Sequence, residues 1–268
     1  MTQGLCRKKI RMTGSPEFAN SMLDRVDLAV AQRIAGTGSA AQELLAAAQS
    51  YHERLYRGSS SDPPFMAALL RLRGLTVHDA DAVEVLAGAS RRLLPACQES
   101  QLLFGLVDVL QMMRDRASQG VPPDGWFLVE LFKVMTRGLP RFRNNALRAD
   151  QPWDGALFSS HPRPNELTPI LDRFNMAHRY RDFPAMFEQL HPLRQGFRIL
   201  WRFARIAPFP DFNLPMAWLA MCSWFLAKGY PLLVPDGKDR ELLARLVSGP
   251  PPTRIVHWEA RMMATVGG

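Results

Sequence analysis

Two small polar side chains, Asp211 and Asn213, stand among prolines and aromatic residues in the segment 207–215. Three residues of this segment are prolines, which have no backbone N–H and are poorly tolerated inside a helix. We therefore expect a rigid, polar bend between two helices. A carboxylate in such a bend can bind a cation, and the N–H groups at the start of the following helix can bind an anion. The segment is therefore the first candidate for a functional site.

Helices that would position this bend are predicted on both sides of it. Residues 192–206 place four apolar side chains on one face at the spacing of an α-helix; they are Leu193, Phe197, Leu200 and Ala204. Residues 216–228 are apolar on nearly every side and are followed by Gly229, a residue type that commonly ends helices. The sequence thus predicts two core helices joined by a short loop.

The loop and its flanking helices resemble those of the Fic and Doc family. The family signature reads His-Pro-Phe-x-Asp/Glu-Gly/Ala-Asn-Gly/Lys-Arg, and the positions that match it at the right spacing are Pro208, Phe209, Asp211 and Asn213. Residues 229–231 (Gly-Tyr-Pro) are similar to the tripeptide that follows the next helix in the family. The resemblance covers residues 95–250 and implies an all-α, Fic-like helical core with a β-hairpin flap and an N-terminal helical extension.

Four positions depart from the signature, and each of them concerns the chemistry. Ala207 stands in place of the motif His, Phe212 in place of the first Gly, and residues 214–215 (Leu-Pro) in place of the final Gly-Arg. Two explanations for Ala207 stay open. One is an engineered substitution that inactivates an enzyme, and the other is a natural pseudoenzyme whose whole motif has diverged.

The resemblance implies a transferase that moves AMP, or another phosphate-containing group, from ATP or a related donor to a hydroxyl group of a target protein. In that chemistry position 207 is the general base when it is His, Asp211 binds Mg²⁺, and Asn213 orients the loop. The candidate catalytic positions are therefore Ala207, Asp211 and Asn213, and the candidate donor-binding residues are Phe209, Phe212, Asn213 and Leu214. Two interpretations of Phe212 stay open: its ring stacks on a base, or it fills the core.

The flap that the resemblance implies is a β-hairpin that holds the target chain by strand addition. Residues 138–147 match its position, with residues 153–155 as its turn, and the candidate target-binding residues are Arg141, Phe142 and Arg143. A protein of another class would use the same surface. It is a catalytically inactive Fic-fold binding module, which holds a partner chain in the flap groove without modifying it.

Four regions are predicted along the chain. Residues 1–21 contain Gly-Ser-Pro-Glu-Phe, which has the form of translated restriction sites, and we interpret them as a vector-derived tag. Residues 22–94 form an N-terminal helical region, residues 95–250 the Fic-like domain, and residues 251–268 a C-terminal tail.

Composition narrows the classes of function further. The net charge is +8, but the arginines are scattered at helical spacing, so a nucleic-acid partner is not favoured. Three cysteines lie far apart, as expected for reduced, cytosolic thiols. The resemblance implies a bacterial cytoplasm, or a host cytosol to which the protein is delivered. The longest apolar run is shorter than the roughly 20 residues that span a bilayer, so no membrane segment is predicted. The sequence does not indicate an oligomeric state.

Overall fold

The structure is a computed structural model that describes residues 62–88, 97–121, 123–144, 146–154, 161–177, 192–241 and 243. Its α-helices are α1 (Asp62–Arg73), α2 (Asp79–Leu86), α3 (Gln98–Ser118), α4 (Gly125–Thr136), α5 (Leu167–Ala177), α6 (Pro192–Ile206) and α7 (Asn213–Ala227). Short 3₁₀ helices span Pro140–Phe142 and Pro164–Glu166. No residue within the described ranges forms a strand. The all-α prediction is confirmed. The predicted tag and C-terminal tail lie outside the described residues.

Helix α7 is the centre of the molecule. Its residues 213–226 are all buried, and it packs against α6, α3, α1 and α4. Gly196 of α6 permits a close approach, because a Cβ atom there would lie 2.1 Å from Cε1 of Phe225 and would overlap its ring. The two predicted core helices are thus present, and they hold the bend between them. No helix in the described part of the chain combines the length and the apolarity that crossing a membrane would require.

The start of α7 differs from the sequence pattern. The helix begins at Asn213 and not at Met216, so Pro215 lies in its first turn. The N–H groups of the first turn have no partner within a helix, and a residue that lacks an N–H is therefore tolerated there. The expectation that all the prolines lie outside helices was wrong for Pro215 for this reason.

Helix α1 shares its core with α7. Its buried apolar side chains pack in one cluster with those of α3 and α7; they are Phe65, Met66, Ala67, Leu69, Leu70 and Leu72. At the start of α1, the buried carboxylate of Asp62 accepts hydrogen bonds from Nη2 of Arg114 on α3, at 2.6 and 2.7 Å. Because α1 packs against α7, its last residue, Arg73, reaches the bend.

The segment in which the sequence predicts a flap follows α4. Residues 140–142 form a 3₁₀ helix, and the other described residues between 138 and 154 form turns, bends and irregular chain. Pro140 opens the 3₁₀ helix and has no N–H to give to a strand ladder. The described residues of this segment form no hairpin, and the flap stays a prediction. Asn145 and residues 155–160, which include part of the predicted turn, lie outside the described residues.

Candidate functional site

The bend between α6 and α7 has an unusual backbone conformation at both ends. Ala207 and Phe212 have φ angles of 42° and 62°, in the left-handed region. That region costs a non-glycine residue roughly 1–2 kcal/mol, so surrounding contacts must hold the loop in place. The N–H of Ala207 donates to the carbonyl of Phe203 at 3.1 Å, and the carbonyl of Phe212 accepts the N–H of Met216 at 2.9 Å. Each end of the bend is thereby attached to its neighbouring helix.

Asn213 braces the bend from inside. Its Oδ1 accepts the N–H of Phe209 at 2.9 Å, and its Nδ2 donates to the carbonyl of the same residue at 2.9 Å. Its backbone N–H and its Nδ2 also donate to the two carboxylate oxygens of Asp154, at 2.7 and 2.8 Å. Both side chains are buried. Asn213 therefore fixes the distance between Phe209 and the start of α7 and attaches the loop to the segment after α4.

Asp211 is held by two arginines. Nε of Arg73 donates to Oδ1, and Nη2 of Arg73 donates to Oδ2 at 3.3 Å. Nη2 of Arg141 lies 3.8 Å from Oδ2, and the N–H of Phe212 donates to Oδ1 at 2.7 Å. The Asp211 side chain is only 4% exposed, so guanidinium groups rather than water balance its charge. In turn, the hydrogen bond that Arg73 donates to Asp211 raises the pKa of Arg73 above its ordinary value, and this guanidinium stays charged.

A buried arginine ties the candidate catalytic position to the rest of the protein. Nε of Arg148 donates to the carbonyl of Ala207 at 2.7 Å. Its Nη1 and Nη2 donate to the carbonyls of Asp150 and Pro162, at 3.0 and 2.5 Å. Burial lowers the pKa of Arg148. At position 207 the carbonyl oxygen is therefore engaged, and the side chain is fully buried.

The residues predicted to bind the donor lie in the core. Their side chains have no exposed surface; they are Phe209, Phe212, Asn213 and Leu214. The ring of Phe209 stacks on Phe132 with centroids 4.2 Å apart, and the ring of Phe212 lies edge-on to Phe142 at 6.0 Å. Of the two interpretations of Phe212, the structure therefore shows the one in which it fills the core.

The three predicted target-binding residues differ in their positions. Phe142 is buried, whereas Arg143 is exposed. Arg141 lies between Asp211 and solvent, with 41% of its side chain exposed. The guanidinium carbon of Arg141 is 4.7 Å from the ring centroid of Phe142 and 5.4 Å from that of Trp153. The structure thus brings Arg141 to the bend beside an exposed tryptophan that sequence reasoning assigned only to the flap turn.

The bend does not offer the ligands that Mg²⁺ and a donor phosphate would need. Mg²⁺ takes several oxygen ligands, whereas both oxygens of Asp211 face guanidinium groups. Among the described residues, no group of three or more His, Cys, Asp or Glu side chains could hold a metal ion. The N–H groups of Phe209, Phe212 and Asn213 could have bound a phosphate, but they donate to side chains of the protein itself. The residues therefore do not fit either group in this arrangement.

Asp154 is the second acidic group at the bend. Burial raises the pKa of its carboxyl above the ordinary value, although hydrogen bonds from Asn213 and the charge of Arg73 act in the opposite direction. Sequence reasoning did not recognise the role of Asp154 and did not single out Arg73. Neither residue has a local signal, because Asp154 lies 59 residues from Asn213 and Arg73 lies 138 residues from Asp211.

Comparisons with known proteins relate the fold to one family. No protein-family model matches the sequence, and no curated protein matches it. Solved structures do match. One is a Fic domain-containing signaling protein from Bacteroides thetaiotaomicron, with a TM-score of 0.58 and 18% identity over 84% of this chain and 91% of that one. Another is Fic-1 from C. elegans, with a TM-score of 0.62 and 14% identity over 91% of this chain and 76% of that one. From its helical core, its bend between α6 and α7 and these similarities, we conclude that the chain has the fold of the Fic-domain proteins.

Proposed function

We propose that this chain is a catalytically inactive Fic-fold protein that binds a partner polypeptide at the surface formed by Arg141, Arg143 and Trp153. One observation carries the proposal. The polar groups of the bend are paired with the protein itself, since Asp211 is bound by Arg73 and the N–H groups of Phe212 and Asn213 are bound by carboxylates. A loop arranged in this way contributes to the stability of the fold, and these groups are bound to the protein itself rather than open to a phosphate.

The general base is absent as well. Ala207 has no group that accepts a proton, and a positioned base contributes roughly 10²–10⁴ to the rate of such a reaction. Its side chain is fully buried, and its carbonyl is bound by Arg148. A histidine introduced here would have to enter a filled space. The backbone and the side chain at this position therefore both support an inactive protein.

The surface beside the bend supports binding. Trp153 is 55% exposed although it is large and apolar. The guanidinium of Arg141 lies against its ring, and Arg143 is exposed nearby in the sequence. Tryptophan and arginine are the residue types that most often dominate the energy of protein interfaces. An arginine against an exposed aromatic ring, with a second exposed arginine two residues away in the sequence, favours a partner segment that carries acidic side chains.

A second function, the transferase itself, is favoured by the position of Asp211. This carboxylate stands at the bend before α7, where the resemblance assigns it to Mg²⁺, and Asn213 is retained beside it. A protein with histidine at position 207 would transfer AMP, or another phosphate-containing group, to a protein hydroxyl. Asp211 would bind Mg²⁺ in it only after Arg73 and Arg141 had moved away from the carboxylate.

Group transfer is tested with the protein as it stands and with the Ala207→His variant. Each is incubated with Mg²⁺, labelled ATP or a labelled phosphocholine donor, and a mixture of bacterial or host-cell proteins. We expect no labelled protein in either case, because the amide groups of the bend are already bonded. Label transfer by the unmodified chain would overturn the proposal. Transfer by Ala207→His alone would show that only the base is missing, and would favour the transferase.

Binding is tested by panning a random peptide library against the protein. We expect the selected peptides to be rich in Asp and Glu, and we expect Trp153→Ala to weaken their binding at least tenfold. Trp126→Ala is the matched control, because Trp126 is 39% exposed and lies on α4. If both variants lose binding equally, or if no peptide is selected, the proposed surface is wrong.

A further inference from the structure

The contacts of Asp211 show which positively charged group balances its charge. Arg73 approaches it with Nε and Nη2, one nitrogen on each oxygen. This forked arrangement is the geometry in which arginine binds a carboxylate most specifically. The Arg73 side chain is 28% exposed, whereas that of Asp211 is 4% exposed. The ion pair therefore lies at the edge of the core, with the acidic partner on the inside.

A buried carboxylate needs a positive partner, and two kinds of partner compete here. The family resemblance implies Mg²⁺, which requires oxygen ligands in an octahedral arrangement. Among the described residues, no group of three or more His, Cys, Asp or Glu side chains could hold a metal ion, and both oxygens of Asp211 are engaged by guanidinium groups. To bind the carboxylate, Mg²⁺ would have to displace Arg73 and leave its guanidinium without its acceptor. Breaking one side of such a pair is strongly unfavourable.

The position of Arg73 in the fold keeps its guanidinium at the bend. It is the last residue of α1, a helix that packs against α7 through a buried apolar face. The guanidinium is therefore delivered to the bend by the core of the protein, and a rearrangement of one surface side chain does not remove it. Arg141 adds a second positive charge 3.8 Å from Oδ2. The carboxylate is thus balanced by groups that belong to the chain.

We propose that Arg73 is the permanent counter-cation of Asp211 and takes the place of a divalent metal ion in this chain, an inference that extends the proposed lack of catalysis. The motif carboxylate then has a structural role, in which it anchors α1 to the start of α7. Mg²⁺ has no function at this position.

The test combines metal titration with a double-mutant cycle on the full chain. Thermal unfolding is measured for the unmodified protein, Arg73→Met, Asp211→Asn and the double variant, each with and without millimolar Mg²⁺ or Mn²⁺. We expect the metals to leave the unfolding midpoint of the unmodified protein unchanged. We expect each single variant to lower the midpoint by several degrees, and the double variant to lower it by clearly less than the sum of the two, because the residues stabilise each other.

Lys133→Met is the matched control. Lys133 pairs with Glu130 on α4, but both partners are more than half exposed, so its loss should leave the midpoint nearly unchanged. If Arg73→Met does not fold, Arg73→Lys replaces it, since lysine keeps the charge without the fork. Metal stabilisation that disappears in Asp211→Asn would overturn the inference, and so would strictly additive losses in the cycle.

These outcomes are separate from those that test the proposed function. A protein that transfers a labelled group without added metal would overturn the lack of catalysis and leave the role of Arg73 intact. A protein that is stabilised by Mg²⁺ through Asp211 and yet transfers nothing would overturn the role of Arg73 alone.

Discussion

The carboxylate of Asp154 accepts two hydrogen bonds from Asn213. Its Oδ2 lies 2.7 Å from the backbone nitrogen, and its Oδ1 lies 2.8 Å from Nδ2. Asn213 is the first residue of α7. The N–H groups in the first turn of a helix have no partners within that helix. Asp154, 59 residues away, thus supplies the side-chain oxygen that caps the start of α7, a role that an adjacent Asp or Ser usually fills. A helix N-terminus is an anion-binding site, and in this protein an internal anion occupies it.

Asp154→Asn should destabilise the protein. The amide keeps the shape of the side chain but replaces one acceptor with a donor, so one buried N–H of Asn213 is left without a partner. We expect the free energy of unfolding to fall by about 1–3 kcal/mol, measured by urea denaturation. Asp150→Asn is the control, because the Asp150 side chain is exposed and its replacement should change stability by less than about 0.5 kcal/mol. Equal effects of the two changes would contradict the role of Asp154.

The stability difference between the unmodified protein and Asp154→Asn should depend on pH. Burial raises the pKa of Asp154 above its ordinary value of 3.8, so the folded protein holds this proton more tightly than the unfolded chain does. The part of the stability that comes from binding this proton is therefore complete below the unfolded pKa and is lost as the pH rises through the folded pKa. The stability difference between the unmodified protein and Asp154→Asn should widen as the pH falls from neutrality towards about 4. Urea denaturation at several pH values measures it, and a difference that narrows over this range would contradict the prediction.

Local pattern was sufficient to predict the helices that flank the bend. The helix predicted for residues 192–206 is present with the same ends, because its apolar side chains repeat at helical spacing and it stops before a proline. The start of α7 was misplaced because Pro215 was taken as a helix breaker, whereas a first turn accepts it. The 3₁₀ helix at Pro140–Phe142 was also missed, since a short segment with few apolar residues has no clear period.

The side chains that pair with the polar residues of the bend could not be predicted from the sequence. Asp211 and Asn213 were found because they lie together in a motif, but the side chains that bind them, Arg73 and Asp154, lie far away along the chain. Only the packing of α1 against α7 and the return of the chain after α4 bring these groups together. The motif thus predicted where the polar residues lie, and the fold decided that their hydrogen bonds would be made internally.

Arg148→Met should destabilise the protein more than most single substitutions. The change removes hydrogen bonds to the carbonyls of Ala207, Asp150 and Pro162 while it keeps much of the side-chain volume. With the buried carbonyl of Ala207 left unpaired and two partly buried carbonyls left to water, we expect a loss of about 2–3 kcal/mol in chemical denaturation. Arg143→Met is the control, because Arg143 is exposed, and it should stay within about 0.5 kcal/mol of the unmodified protein. A loss below about 1 kcal/mol for Arg148→Met would show that water replaces the guanidinium.

Phe212→Gly sets two effects against each other. Glycine adopts the φ of 62° without the roughly 1–2 kcal/mol that a side chain costs in the left-handed region. It also removes a fully buried ring that packs against Phe142, and truncating a buried phenylalanine to alanine costs about 3–5 kcal/mol. The cavity should dominate, so we expect a net loss of about 2–3 kcal/mol in chemical denaturation.

Ala207→Gly separates these two effects. Position 207 also has a positive φ, of 42°, but its side chain is a single methyl group. Relief of backbone strain there should roughly offset the loss of the buried methyl, about 0.8 kcal/mol, and the added freedom of the unfolded chain. We expect the stability of Ala207→Gly to stay within about 1 kcal/mol of that of the unmodified protein. If Phe212→Gly proved as well tolerated as Ala207→Gly, the ring would contribute little to the core, and Phe212 would instead be available to a ligand.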